Sequence, residues 1–178
     1  EGWLGKAIKE LDPNGEDELT GVSFGTGLPR AMAMPGVPVT SISDLDNYGL
    51  MTGIAEQDQR DRALQIFRDM YSPAIGTGPV KQYLAQTGID VLKGADRLKD
   101  IPEKYTSEVE YADTGIAKSL RDIARVHTAG VGTRIFYAQH GGYDTHANQN
   151  PTHPKLLRDL SSGIRDFFDD LKKHDAAD

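Results

Sequence analysis

The sequence predicts an α/β fold built on a mostly parallel sheet. Three observations carry this. Over residues 115–173 a helical pattern, a glycine break, an apolar run, a loop and a second helical pattern follow one another, a series that forms an αβα element of a parallel sheet. The apolar run Arg134-Ile135-Phe136-Tyr137-Ala138-Gln139 reads as a buried strand. Helical stretches outnumber strand-like ones, so further strands of the sheet are expected outside this sequence.

The elements follow in order. Trp3, Leu4, Ala7, Ile8 and Leu11 have helical spacing over residues 2–11, and Asp12-Pro13-Asn14-Gly15 stops that helix. Residues 19–24 read as a short strand, and 25–30 as a glycine-punctuated loop. Residues 31–34 read as one helical turn. Residues 37–42 are a strand candidate that Pro38 places at an edge or a strand start. A loop is expected at 43–48. Ala63, Leu64, Phe67, Met70 and Tyr71 define a helix over 58–71, with Asp58 and Asp61 near its favourable end. Ile75-Gly76-Thr77-Gly78-Pro79 breaks the chain. A helix over 80–98 follows, interrupted at Thr87-Gly88 and ended by Pro102. The polar stretch 105–111 has no assignable state. Ile116, Leu120, Ile123, Val126 and His127 mark a helix over 115–128, which Gly130-Val131-Gly132 stops. The last helix spans about 154–173, with Pro154 in its first turn and Lys172-Lys173 at its end. Leu156, Leu157, Leu160, Ile164, Phe167, Phe168 and Leu171 line one face of it.

The 178 residues give room for one domain with a real core. The net charge of −7, without a basic stripe, argues against nucleic acid and against an anionic membrane surface as partners. Cysteine is absent, so any metal must be held by nitrogen and oxygen. No apolar run reaches the ~18 residues that span a bilayer, and no signal peptide is visible. Trp3 to Ile8 reads as the middle of a helix, and the sequence stops just after another. Residues 1–178 therefore read as a single-domain fragment truncated at both ends.

The chemistry concentrates after the run at 134–139. Gly141-Gly142 turns the chain, and Asp144 and His146 follow two residues apart. In an extended segment both project to one side, where an anionic oxygen and a neutral nitrogen suit one divalent ion. The other reading is a loop in which Asp144 caps a turn and His146 is solvated. Asn148 and Gln149 could orient ligands or hold a substrate oxygen. His153 flanks the loop as a further ligand, a proton donor or an exposed residue, and His140 reads as partly buried and bonded to backbone. His127 reads as structural, and His174 as surface. Gly25-Thr26-Gly27 looks like a piece of a phosphate loop but lacks the following Lys-Ser/Thr. Ser41 and Ser43 lie in no nucleophile elbow. Asp44 and Asp46 are paired carboxylates near a strand end that could bind a cation, but a solvated turn is the favoured reading.

The segment Gly132-Thr133-Arg134-Ile135-Phe136-Tyr137 with Gly141-Gly142-Tyr143-Asp144-Thr145-His146-Ala147-Asn148-Gln149 resembles the DUF1501 family. Those are sulfatase-like proteins placed with the alkaline phosphatase superfamily. Gly2-Trp3-Leu4-Gly5, Leu28-Pro29-Arg30-Ala31, Asp44-Leu45 to Gly49-Leu50 and Lys155-Leu156-Leu157-Arg158-Asp159-Leu160 resemble its other blocks.

The resemblance implies a three-layer α/β/α, alkaline-phosphatase-like fold, incomplete in this fragment. It also implies a metal centre at the C-terminal edge of the sheet, with Asp144 and His146 as ligands of one ion: zinc, or calcium or manganese. The family's early Gly-Gly-x-Asp block, its Ser/His block and its late Asp-His-Gly block do not appear here, so no nucleophile is assigned. The implied activity is metal-dependent hydrolysis of small-molecule or polymer phosphate or sulfate esters, by a periplasmic or secreted protein. The alternative is a non-catalytic exported binding or structural protein that keeps the fold.

Overall fold

The computed structural model describes residues 1–49, 53–54, 56–71 and 78–177. Leu50, and Ile75 to Thr77 of the expected glycine break, lie outside them. The element order is α1 (Trp3–Leu11), β1 (Gly21–Phe24), β2 (Thr40–Ile42), α2 (Gln57–Tyr71), α3 (Pro79–Leu98), α4 (Ile101–Lys104), α5 (Gly115–Thr128), β3 (Ile135–Ala138) and α6 (Gln149–Lys173). The three strands form one parallel sheet in the order β2-β1-β3. The chain is thus a mixed α/β protein, as the pattern of elements predicts.

Side-chain alternation along β1 explains how the sheet is covered. Val22 and Phe24 face the main core, where they pack with Ile42, Leu98, Ile101, Ile123 and Val126. Gly21 points to the opposite face. A Cβ there would run into Ile8 of α1 and approach Met32. Helices therefore flank β1 on both faces, and all four of its residues are buried. No helix among the described residues is long and apolar enough to cross a membrane.

Several elements differ from the sequence pattern, each for a physical reason. In α1, Ile8 is buried but Trp3 and Leu11 are exposed. Gly5 brings the helix close to the Met32 carbonyl, and that contact sets which face is covered. Residues 31–34 form only a turn closed on the Pro29 carbonyl. Only residues 40–42 of the stretch 37–42 are strand; Pro38 has no N–H to give to a ladder. α3 runs unbroken through Thr87-Gly88, with the Thr87 hydroxyl on the Tyr83 carbonyl. Pro102 does not end that helix. α3 stops at Leu98, and Pro102 sits in the first turn of α4, where its missing N–H costs nothing.

The largest difference is in α6. It begins at Gln149, five residues before the expected start, and carries Pro154 inside. Its covered face is Gly163, Asp166, Asp170 and Leu171, while Leu157, Ile164 and Phe168 are exposed. Gly163 allows close packing on Leu120 and Ala117 of α5. Asp170 turns inward because the segment 105–111 brings hydroxyls to it: Tyr105, Ser107 at 2.5 Å and Tyr111 at 2.8 Å.

Candidate functional site

All three strands end on the same edge of the sheet. The connection from β1 leads to β2 on one side, and β3 joins β1 on the other. A parallel sheet opens a crevice where its strand order reverses in this way, outside the carboxyl ends of the strands. A cleft of about 640 Å³ lies there. β1 and the loop after it supply Ser23 to Pro29, β3 and its loop supply Tyr137, Gln139 and Gly141, and the first turns of α5 complete the wall.

The Asp144-His146 loop leaves the same edge after β3. His146 Nδ1 contacts Asp144 Oδ1, and the two side chains are 87% and 84% exposed. Thr145 N–H bonds the Tyr143 carbonyl at 2.9 Å and closes the turn. Asp144 caps no backbone N–H among the described residues. Its carboxylate is therefore not spent on holding the turn.

Tyr143 anchors this loop. Its hydroxyl lies 2.8 Å from His140 Nδ1, and its ring meets those of His140 and His153 edge-on at 5.3 and 5.9 Å. His140 thus bonds a side chain rather than backbone. His153 is half-buried against Tyr143, and its Nδ1 is buried without a hydrogen-bond partner. Gly142, at φ +88°, lies against Leu156 of α6. That conformation strains any residue with a Cβ. Asn148 takes the left-handed conformation at φ 62° and opens α6, with Gln149 as the first helical residue; both are exposed. Neither bonds Asp144 or His146 among the described residues.

The donor chemistry fits a divalent ion. An anionic oxygen and an imidazole nitrogen, which are donor types a divalent ion accepts, touch each other and are open to solvent. A catalytic zinc takes about three protein ligands. Among the described residues no three His, Cys, Asp or Glu side chains gather for one ion.

The other expected residues fall elsewhere. Ser41 donates to the Gly27 carbonyl at 3.2 Å, and Ser43 lines the cleft. Asp44 accepts from Asp46 N–H at 3.0 Å and Asn47 at 2.7 Å, as a turn residue should. Asp46 is not merely solvated: Arg125 of α5 donates to it at 2.6 Å, and that bond holds its carboxyl below the usual range. His127 is exposed at the end of α5, with Nε2 3.3 Å from the Ala176 carbonyl. His174 is partly covered, stacks on Tyr105 and lies 3.5 Å from Asp170.

The sequence reading missed Ser23, Lys118 and Asp122 in the cleft wall. Asp122 is buried, and burial pushes its carboxyl up against the opposing effect of Arg125. The available signals were a lone hydroxyl inside an apolar strand and a charged pair at i, i+3 along the buried stripe of α5.

Compared with known families, residues 2–178 match the model of one described as "Protein of unknown function (DUF1501)". The chain belongs to that family. Comparison with curated proteins and with solved structures gave no match.

Proposed function

We propose that this chain supplies part of the metal centre of an exported, metal-dependent hydrolase-like protein of the alkaline phosphatase and sulfatase type. The observation that carries the reading is the Asp144–His146 pair, joined side chain to side chain and open at the C-terminal edge of a parallel sheet. In this reading the three strands belong to a larger three-layer α/β/α sheet. The substrates are phosphate or sulfate esters, small or polymeric.

Asp144 gives the anionic oxygen and His146 the neutral nitrogen. Tyr143, held between His140 and His153, fixes the loop that presents them. Asn148 and Gln149, exposed at the start of α6, are free to bond a ligand or a substrate oxygen. The divalent ion, zinc or else calcium or manganese, would polarise the ester oxygen and stabilise the leaving oxygen.

Metal content of the full-length protein, beside its Asp144→Ala/His146→Ala double mutant, tests the reading. About one or two ions per chain are expected, with loss in the mutant. Absence of metal from both proteins would remove the hydrolase reading and leave the non-catalytic binding or structural role.

A further inference from the structure

We propose that the outward face of α6 docks an acidic amphipathic helix of a partner protein. The polarity of α6 is inverted. It buries Asp166 and Asp170, and it leaves Leu157, Ile164 and Phe168 between 41% and 50% exposed. A surface helix ordinarily turns its apolar stripe inward. A contiguous apolar stripe turned outward marks an interaction site.

The spacing identifies the kind of partner. Leu157, Ser161, Ile164 and Phe168 follow one another at steps of four, three and four residues, and all four are exposed. That is the seam one helix offers to another, and it runs for about 17 Å along the axis. Ser161 does not interrupt it. Its hydroxyl donates to the Arg158 carbonyl at 3.1 Å, within its own helix, and its small side chain lets a second backbone approach.

The charge beside the seam selects the partner. Arg158, Arg165 and Lys172 recur every seven residues along one flank, and all are exposed. Arg165 pairs with Asp166 and Lys172 with Asp169 of the same helix, at 2.6 and 3.4 Å. Arg158 forms no ion pair among the described residues. The exposed charges of α6 are Lys155, Arg158, Arg165, Lys172 and Lys173, against Asp169 alone. This positive face, on a chain of net charge −7, is complementary to a helix that carries Asp or Glu beside its apolar residues.

The same charges disfavour a second copy. In an antiparallel pair of α6 helices, like flanks meet, so Arg158, Arg165 and Lys172 of one copy would oppose those of the other. A parallel pair needs the other flank, where Phe167 packs against the main core. An anionic bilayer fits less well, because the chain as a whole is acidic and three apolar side chains give little area to insert. None of the seam residues belongs to the Asp144-His146 loop, so the docking face is independent of the proposed metal centre.

Fluorescence anisotropy of the full-length protein with two labelled peptides of about 21 residues tests the docking. Both peptides carry Leu at the seam positions; one has Glu on the flanks and the other Lys. The Glu peptide should bind with a Kd below about 100 μM, and about tenfold or more tighter than the Lys peptide. Ile164→Ser/Phe168→Ser should weaken it about tenfold or more. Arg158→Glu, which breaks no ion pair of the fold, should narrow the preference severalfold. Arg158→Glu/Arg165→Glu should reverse it, so that the Lys peptide binds the tighter; misfolding would weaken both peptides and cannot produce a reversal. The proposal falls if the folded wild-type protein binds neither peptide or both equally, or if the charge reversal leaves the Glu peptide preferred. It falls also if sedimentation shows a dimer that Ile164→Ser/Phe168→Ser dissolves, which would give the face to a second copy. Uptake by phosphatidylserine vesicles of the wild type but not of that variant would give the face to a membrane and overturn the proposal as well.

Discussion

Two carboxylates bracket α6 and live in opposite surroundings. Asp170, near its end, is 0% exposed and accepts from the hydroxyls of Tyr105, Ser107 and Tyr111, with His174 Nε2 3.5 Å away. Asp144, just before its start, is 84% exposed and, among the described residues, touches only His146. An ionised carboxylate can only accept, so a buried one must be saturated with donors. Asp170 meets that condition, and its hydrogen-bonding capacity is spent on structure. Burial first, and the hydrogen bond to Asp170 second, push the phenols of Tyr105 and Tyr111 up, so both remain neutral donors. Asp144 keeps its capacity for something outside the chain.

Removing each carboxylate separates the two cases. Asp170→Ala leaves three hydroxyls around a cavity and releases the segment 105–111 from α6. The expected cost is about 3 kcal/mol or more, read as a lower urea midpoint. A loss under about 1 kcal/mol would mean that apolar packing, not this node, pins the segment. Next in size is Gly21→Ala. The added methyl meets Ile8 and Met32 on the α1 face of β1, and such overpacking costs about 1–3 kcal/mol. An unchanged midpoint would show that α1 shifts freely and does not brace the central strand under the cleft.

These sites show what could be read from the sequence. The helices at 3–11 and 115–128 and the strand at 135–138 follow from hydrophobic period and glycine breaks. The Asp144-His146 pair was visible because both residues lie in one short loop. Asp170 was not, because helical patterning assigns charges to the solvent side, and only the distant hydroxyls at 105, 107 and 111 reverse that. The same assumption hid Asp122 and Arg125 on the buried side of α5. The cleft was hidden for a different reason. Residues 25–27 and 115–118 are far apart in sequence, and only strand order brings them together.

A smaller effect concerns acid. Asp46 titrates below its usual value because Arg125 donates to it. Between the folded and the unfolded pKa, the unfolded state binds more protons, so stability rises with pH. The Asp46 contribution is present above about pH 4 and is lost as pH falls through the lowered value. Asp122 has the opposite sign. Burial raises its carboxyl, so its contribution is present below the unfolded value and is lost as pH rises through the raised one. Asp46→Asn should therefore flatten the acid limb of a stability–pH curve, by about 1 kcal/mol or less since Asp46 is half exposed, while Asp122→Asn should lift the curve on the side where the buried carboxyl has to ionise. Superimposable curves for wild type and Asp46→Asn would mean that the Arg125 bond is not maintained in solution.

The smallest effect is the most telling for the comparison. In chelator, Asp144→Ala/His146→Ala should move the thermal transition by less than about 2 °C, because an exposed pair holds little of the fold together. Adding zinc should then separate the proteins. A ligand that binds only the folded state raises its stability by about 2.7 kcal/mol at a hundredfold excess over Kd, so the wild-type transition should climb with zinc while the double mutant stays flat. Equal climbs would place the zinc on other side chains. A large loss already in chelator would make Asp144 a structural carboxylate like Asp170, and the contrast between the two ends of α6 would disappear.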